Sequence, residues 1–332
     1  MKPLRIVLSC LLAGMGVAHA APVPAYDATP RLGIVIPKLP ADYGLLLNAL
    51  TARGHVSDGA FDFQTGEIDG VPVVMIVQPA PGEVLRAIEA TSMLHDFNVR
   101  VLLYPGTSGG HLPKGEMSIG DIVLGARNVN HGNYYLAPDG HMEGGEFKDA
   151  GPGQSYTGAF HADPGLLAML ACSAKRVATQ TTLPAFLAPV RSDRQPQIFY
   201  YGIQGTSEIW SDNVAYTQAT MKVFHEIDED GDWYSNLAAT VLHVPFLEVS
   251  VISNSIFAFP ARKHGVPESP EGQPDSHVVA QRLSNRILLD LLKHKGQALL
   301  AAKFRPVSQP VYPESYFQTP HDPRNLLDGC SL

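Results

Sequence analysis

Cysteine is scarce: only three of the 332 residues, and one of them, Cys10, lies within the first 20 positions. That is too few for a scaffold built on disulfides, so the fold must rest on an apolar core. Positive charge is also in deficit, with 24 Lys and Arg against 32 Asp and Glu and a formal net charge of −8. A surface of that sign does not displace counterions from a polyphosphate, which argues against nucleic acid as a partner. Beyond position 20 no apolar run is long enough to cross a bilayer, so no membrane contact is expected once the first segment is removed. The 13 histidines are scattered and no pair stands four apart in a helical context, so neither a metal nor another cofactor is expected. What remains is an ordinary globular composition, 45% hydrophobic and 17% charged, sufficient for a large core.

The first 20 residues read as a secretion signal. Lys2 and Arg5 supply the basic start, Ile6 to Val17 the apolar stretch, and Ala18-His19-Ala20 the small residues that a signal peptidase reads. A membrane anchor is disfavoured because the run is too short, and a lipoprotein signal at Cys10 because no small-residue motif precedes it. The expected location is secreted or periplasmic. Cys172 and Cys330 would remain, and in an oxidising compartment they either pair, pinning the tail to the helix that carries Cys172, or stay as two buried thiols.

Along the chain, Leu32 to Ile36 reads as a buried strand ended by Pro37, and Asp42 to Thr51 carries leucines at helical spacing. Phe61 to Gly70 predicts a hairpin turning at Asp69-Gly70, followed by a strand over Val71 to Val77. Gly82 to Phe97 is helical, with Val84, Ile88, Thr91 and Met93 or Leu94 on one side. Val99 to Tyr104 is the next strand, running into Gly106-Thr107-Ser108-Gly109-Gly110. Strand, helix and strand of these lengths make a parallel βαβ unit, hence an α/β fold. Strand character returns at 121–126, 198–203 and 244–253, and 136–160 reads as a long loop. Asp163-Pro164 opens a helix as N-cap and first turn. Helices are expected over 235–242 and 276–303, and the tail after 303 holds five prolines and is expected to wrap over the surface or a partner.

Ligands of a parallel sheet bind beyond the carboxyl ends of its strands. Three such ends carry suitable chemistry. The glycines of 106–110 let a ligand approach the backbone, and Thr107 and Ser108 add hydroxyls. Ser253-Asn254 follows an apolar strand, and the amide of Asn254 offers both a donor and an acceptor. Trp210, after the strand at 198–203, offers a face for stacking on a base.

The order of these segments resembles the purine nucleoside phosphorylase superfamily. Strand LGIVI, hairpin ending TGEIDG, strand VPVVMIV, Pro81-Gly82-Glu83-Val84, strand VLLY, GTSGG, then Ile119-Gly120-Asp121-Ile122-Val123 carry the likeness. Within the superfamily the chain looks most like methylthioadenosine/S-adenosylhomocysteine nucleosidase and the plant bark storage proteins. Asp212-Asn213-Val214-Ala215-Tyr216 resembles the storage-protein branch, and Val244-Pro245-Phe246 with Val251-Ile252-Ser253 matches the strand before the family's catalytic residue. The likeness covers about residues 32–295. Together with the signal over 1–20 and the Pro-rich extension over 304–332, it gives a nucleoside phosphorylase-like domain over 21–303. It further implies a three-layer domain with a central mixed, mostly parallel sheet flanked by helices.

Carried over residue by residue, the resemblance puts Gly33 and Thr107 where the family binds phosphate or water, with Ser108, Gly109 and Ser253 beside them. His131 falls near the ribose and Trp210 on the base. The departures are as informative. In place of the family's ribose-binding Met-Glu pair stands Asp228-Glu229-Asp230-Gly231-Asp232, where Asp232 or Asp230 would take the diol. Asn254 replaces the base-protonating Asp, and Ala41, beside Asp42, the water-activating Glu. An amide binds a base but cannot protonate it, and such protonation contributes about 10²–10⁴-fold. The expected function is cleavage of the N-glycosidic bond of a purine nucleoside, with Asn254, Asp232 and Asp42 as catalytic candidates. The alternative is a weak or inactive nucleoside-binding or storage protein on the same fold. The implied partners are a small-molecule nucleoside, phosphate if cleavage is phosphorolytic, and further copies of the chain in a homo-oligomer.

Overall fold

The computed structural model describes residues 26–36, 44–77, 82–113, 115–144, 159–209, 211, 213–256, 271–307 and 310–330. The signal read over 1–20, Asp42 and Trp210 lie outside the described residues.

The chain opens with strand β1 (Asp27–Ile36), the short helix α1 (Gly44–Ala49) and strands β2 (Thr51–Ser57), β3 (Asp62–Ile68) and β4 (Val71–Val77). Asp69 and Gly70 join β3 to β4 with φ of 49° and 71°. Two successive positive φ values match the twist of a two-residue hairpin, which is why this dipeptide marked the turn. Helix α2 (Glu83–Asp96) leads into strand β5 (Phe97–Gly110), then β6 (Ile122–Asn130). The expected loop at 136–160 is instead partly structured: β7 (Tyr134–Leu136) and β8 (Met142–Gly144) form a small antiparallel pair, and β9 (Ala159–His161) joins the main sheet.

Helix α3 (Pro164–Thr179) begins as its sequence predicts, with the Asp163 carboxylate accepting from the N–H groups of Gly165 and Leu166. Strand β10 (Ile198–Thr206), helix α4 (Val214–Phe224), the two-residue β11 (Asp228–Glu229), helix α5 (Trp233–Val241) and strand β12 (Phe246–Ser255) follow. Helices α6 (Ser276–Ala301) and α7 (Glu314–Gln318) complete the order.

The strands form one mixed sheet in the order β11-β10-β6-β12-β5-β1-β4-β3-β2, with β9 on β6. Parallel pairs join β4 to β1, β1 to β5, β5 to β12 and β6 to β10. One face packs under α3 and α6, where Leu283, Ile287 and Leu291 recur at helical spacing against Leu103, Val249 and Val251. Each such side chain contributes about 1.5–3 kcal/mol on burial. On the other face α2 and α5 bring Ala90, Met93, Ala238 and Ala239 against Val74, Leu102 and Phe246. Three layers result.

Helix α2 departs from the expected face. Val84 and Ile88 are 56% and 51% exposed, and the helix buries Glu83, Glu89 and Asp96 with Ala90 and Met93. Gly33 also has a different role from the one the resemblance implied. It lies within β1, where a Cβ would meet Met93 Sδ at 2.9 Å and Val99 Cγ1 at 2.9 Å. It is a glycine so that α2 can lie close on the strand, not so that a ligand can approach.

The tail is a strap. Tyr200 and Tyr201 on β10 donate their N–H groups to Pro320 O at 2.7 and 3.2 Å, covering a stretch of strand that β11 leaves unpaired. Tyr312 Oη donates to Ala162 O at 3.0 Å, and the Arg127 guanidinium pairs with Glu314 and lies 4.0 Å over the Phe317 ring. Cys172 and Cys330 form a disulfide, with Cα atoms 5.6 Å apart, tying the strap to α3.

Candidate active site

Strand β5 does not end at Tyr104. The Gly-rich segment continues as strand to Gly110 because β12 pairs with it on one side and β11, antiparallel, on the other. Gly109 is therefore opposite Asn254 in β12 and Glu229 in β11. The register slips by one residue between Ile252 and Asn254, leaving Ser253 as the extra residue of a bulge. A bulge of this kind re-aims the side chains beside it. A Cβ on Gly109 would lie 2.9 Å from Glu229 Oε1 and 3.2 Å from Asn254 Oδ1, so the carboxylate and the amide occupy the space a side chain would need. Here the absent side chain serves the site.

The hydroxyls beside this point turn inward. Ser108 Oγ donates to Asp228 Oδ2 at 2.8 Å, and Ser253 Oγ donates to Ser108 O at 3.3 Å. Both serines are buried and hold the strand ends in place, and Thr107 is half-buried beside Val251. Burial raises the pKa of Asp228 to about 8, against the pull of Ser108, His111 and Gln204. At neutral pH its carboxyl holds a proton.

Asp230 is solvent-exposed, with φ of 70°, and Glu229 is half-buried beside it. Enclosure and Glu229 raise its pKa to about 6, against Arg86, His277 and His131. Asp232, two residues on, is fully buried. Its side chain caps α5 by accepting from Ser235 N at 3.0 Å, and its own N–H donates to Glu248 Oε1 at 3.1 Å. Of the two aspartates the sequence offered for the sugar, Asp230 is the accessible one. The acidic run is part exposed turn, part helix cap.

Behind Glu229 lies His111, 2% exposed. Its Nε2 is 3.4 Å from Glu229 Oε2 and its Nδ1 3.7 Å from Glu226 Oε1. Burial opposes a charge on this imidazole, but the two carboxylates outweigh it and raise its pKa to about 9. His131, 1% exposed, stands edge-on 6.2 Å away and is held neutral, burial lowering its pKa to about 4. It is a buried neighbour of the site rather than a group at the opening.

A second acidic layer supports the floor. Arg86 pairs with Glu83 at 3.0 Å and lies 5.4 Å over the Tyr104 ring. Glu248, fully buried, accepts from Asn128 Nδ2 at 2.5 Å, and burial and Asp232 hold it protonated well above the usual carboxylate range. Glu89 is also fully buried, with no hydrogen-bond partner for either carboxylate oxygen, and burial raises its pKa to about 8. Among the described residues no group of three or more His, Cys, Asp or Glu is arranged to hold a metal ion.

The structure brings Gly109, Ser253 and Asn254 together with Glu229. Glu229, Glu226 and His111 were missed. A run of four carboxylates reads as a solvated turn, and its two-residue strand is too short to leave a periodic signal. The signal that could have been used is His111 itself, which directly follows the Gly-rich segment.

A family model described as the Phosphorylase superfamily matches residues 34–186. A 5'-methylthioadenosine/S-adenosylhomocysteine nucleosidase from Geobacillus thermodenitrificans is 28% identical over 97 residues, 29% of this chain and 40% of that protein. The chain therefore spans two fifths of the length of this curated relative. Among solved structures, the corresponding nucleosidase of Streptococcus pneumoniae, bound to 8-aminoadenine, superposes with a TM-score of 0.56 at 17% identity, covering 79% of this chain and 99% of that one. The Neisseria meningitidis enzyme with methylthio-immucillin-A gives 0.55 at 18%, with 79% and 99% covered. Futalosine hydrolase of Helicobacter pylori gives 0.56 at 14%, with 79% and 97% covered. At these identities the likeness is one of fold. The resemblance and the fold class read from the sequence are both borne out.

Proposed function

From the premise of a nucleosidase fold with a phosphorylase-superfamily sequence match, we propose that this chain is an exported protein that cleaves the N-glycosidic bond of a purine nucleoside. The observation that carries the reading is the meeting of Asn254 and Glu229 over Gly109 at the carboxyl end of β5. The amide supplies a donor and an acceptor to a purine edge. Glu229 and Asp230 supply carboxylates to the sugar hydroxyls and stabilise the positive charge that develops on the sugar as the bond breaks. The relatives whose names mention adenine or nucleoside analogues support a small-molecule nucleoside as the ligand.

Export is supported by the basic, apolar and small-residue order of the first 20 residues and by the Cys172–Cys330 disulfide, a bond that persists in oxidising compartments. The exposed Val84 and Ile88 support the homo-oligomer that the resemblance implies, which light scattering would measure. One observation favours the storage reading instead: Asn254 has no proton to give the leaving base. The test is incubation of the purified protein with adenosine, inosine and methylthioadenosine, with and without phosphate, following free base by chromatography. Base released without phosphate supports hydrolysis, base released only with phosphate supports phosphorolysis, and binding without release supports storage.

A further inference from the structure

We propose that His111 is a positioning residue, set between Glu226 and Glu229 so that Glu229 presents one oxygen to the sugar. The inference rests on the nucleoside reading above and deepens it. Its basis is the division of labour within one carboxylate. Glu229 Oε2 is 3.4 Å from His111 Nε2, while Oε1 faces the Gly109 backbone beside Asn254. On its other side the imidazole is 3.7 Å from Glu226 Oε1, a carboxylate with no exposure. The backbone N–H of His111 donates to Ile227 O at 2.9 Å, which holds this residue beside the segment that carries Glu226 and Glu229.

The groups facing the imidazole are Glu226, Glu229 and Asp228 from the β11 segment and His131 from the turn after β6, with the Tyr216 ring of α4 tilted against His131 on its far side. Asp228 is engaged by Ser108 and His131 is held neutral by burial, so Glu226 and Glu229 are the acids that the imidazole pairs with. Glu226 acts only through His111. It is the counter-charge that keeps the imidazole protonated and in line.

The test compares wild type, His111→Gln and Glu226→Gln by the pH profiles of kcat and of nucleoside affinity. A group misplaced by about 1 Å loses about 10²-fold in rate. Accordingly His111→Gln is expected to lower kcat about 100-fold with KM changed less than about threefold. Glu226→Gln is expected to move the alkaline limb downward, because the imidazolium then loses its proton at lower pH.

A separate readout needs no turnover. NMR titration of the His111 ring is expected near pH 9 in the wild type and at lower pH in Glu226→Gln, which loses one of the two carboxylates that raise it. Variants that lose only melting temperature, with kcat, the alkaline limb and the ring titration unmoved, would overturn the proposal. If the wild type binds nucleoside but releases no base, the cleavage reading fails by itself. The positioning role is then decided by the affinity profiles and the ring titration.

Discussion

At the scale of single residues, the site turns on what Gly109 lacks. Gly109→Ala would push a methyl group to 2.9 Å from Glu229 Oε1, closer than packed atoms tolerate, so the carboxylate or the amide must move. The expected result is a loss of base release on the order of 100-fold with a small change in melting temperature. Asp230 and Asp232 separate by assay. Asp232→Ala removes the α5 cap and is expected to cost about 0.5–2 kcal/mol in a denaturation curve. Asp230→Asn is expected to leave stability unchanged and to weaken nucleoside binding. The sequence offered both aspartates without distinguishing them, because the difference is burial, which depends on how the chain turns through the positive φ at Asp230. Asn254 and Gly109 were legible, since each sits at the end of an apolar strand. Glu229 was not, since its importance comes from a strand partner well over 100 residues away in the chain.

At the scale of elements, legibility followed local chemistry. Asp163-Pro164 and Asp69-Gly70 carry their own instructions, a cap with a pre-set φ and a turn with two positive φ values, and the structure follows both. Asp163→Ala is expected to destabilise the protein by about 0.5–2 kcal/mol, read from the urea midpoint, because two N–H groups lose their acceptor. Helix α2 could not be read this way. Val84 and Ile88 point outward and Glu83 inward because Arg86, itself set among Tyr104, Asp232 and Asp230, draws Glu83 into the protein. Periodicity orients a helix only when the surface it meets is apolar. Strand β11 escaped for a related reason: two acidic residues become a strand only because the exposed edges of β5 and β10 are already there to receive them.

At the scale of the whole molecule, the buried acids set a pH dependence with a definite sign. Glu89 and Asp228 have folded pKa values of about 8, above the unfolded range near 4. Between those values the folded state holds protons that the unfolded chain has released, so stability falls as pH rises through that window. His111, raised to about 9, contributes stability that is full below its unfolded value and fades as pH passes 9. His131 and His161, lowered to about 4, act in the opposite sense: the unfolded chain binds their protons below about 6.5, so stability also falls as pH drops from there. Thermal unfolding should show a maximum at mildly acidic pH, and Glu89→Gln should flatten the decline on its alkaline side. Reduction of the Cys172–Cys330 bond, which closes a long loop, is expected to lower stability by about 2–5 kcal/mol in denaturant and to free the strap for proteolysis.

Crystals soaked with adenosine or methylthioadenosine would report where a nucleoside sits. The sugar hydroxyls should lie within hydrogen-bonding distance of Glu229 or Asp230, with the purine edge against the Asn254 amide. A nucleoside bound elsewhere, or a Glu229→Gln/Asn254→Ala double variant that binds it as tightly as the wild type, would contradict this assignment of the site.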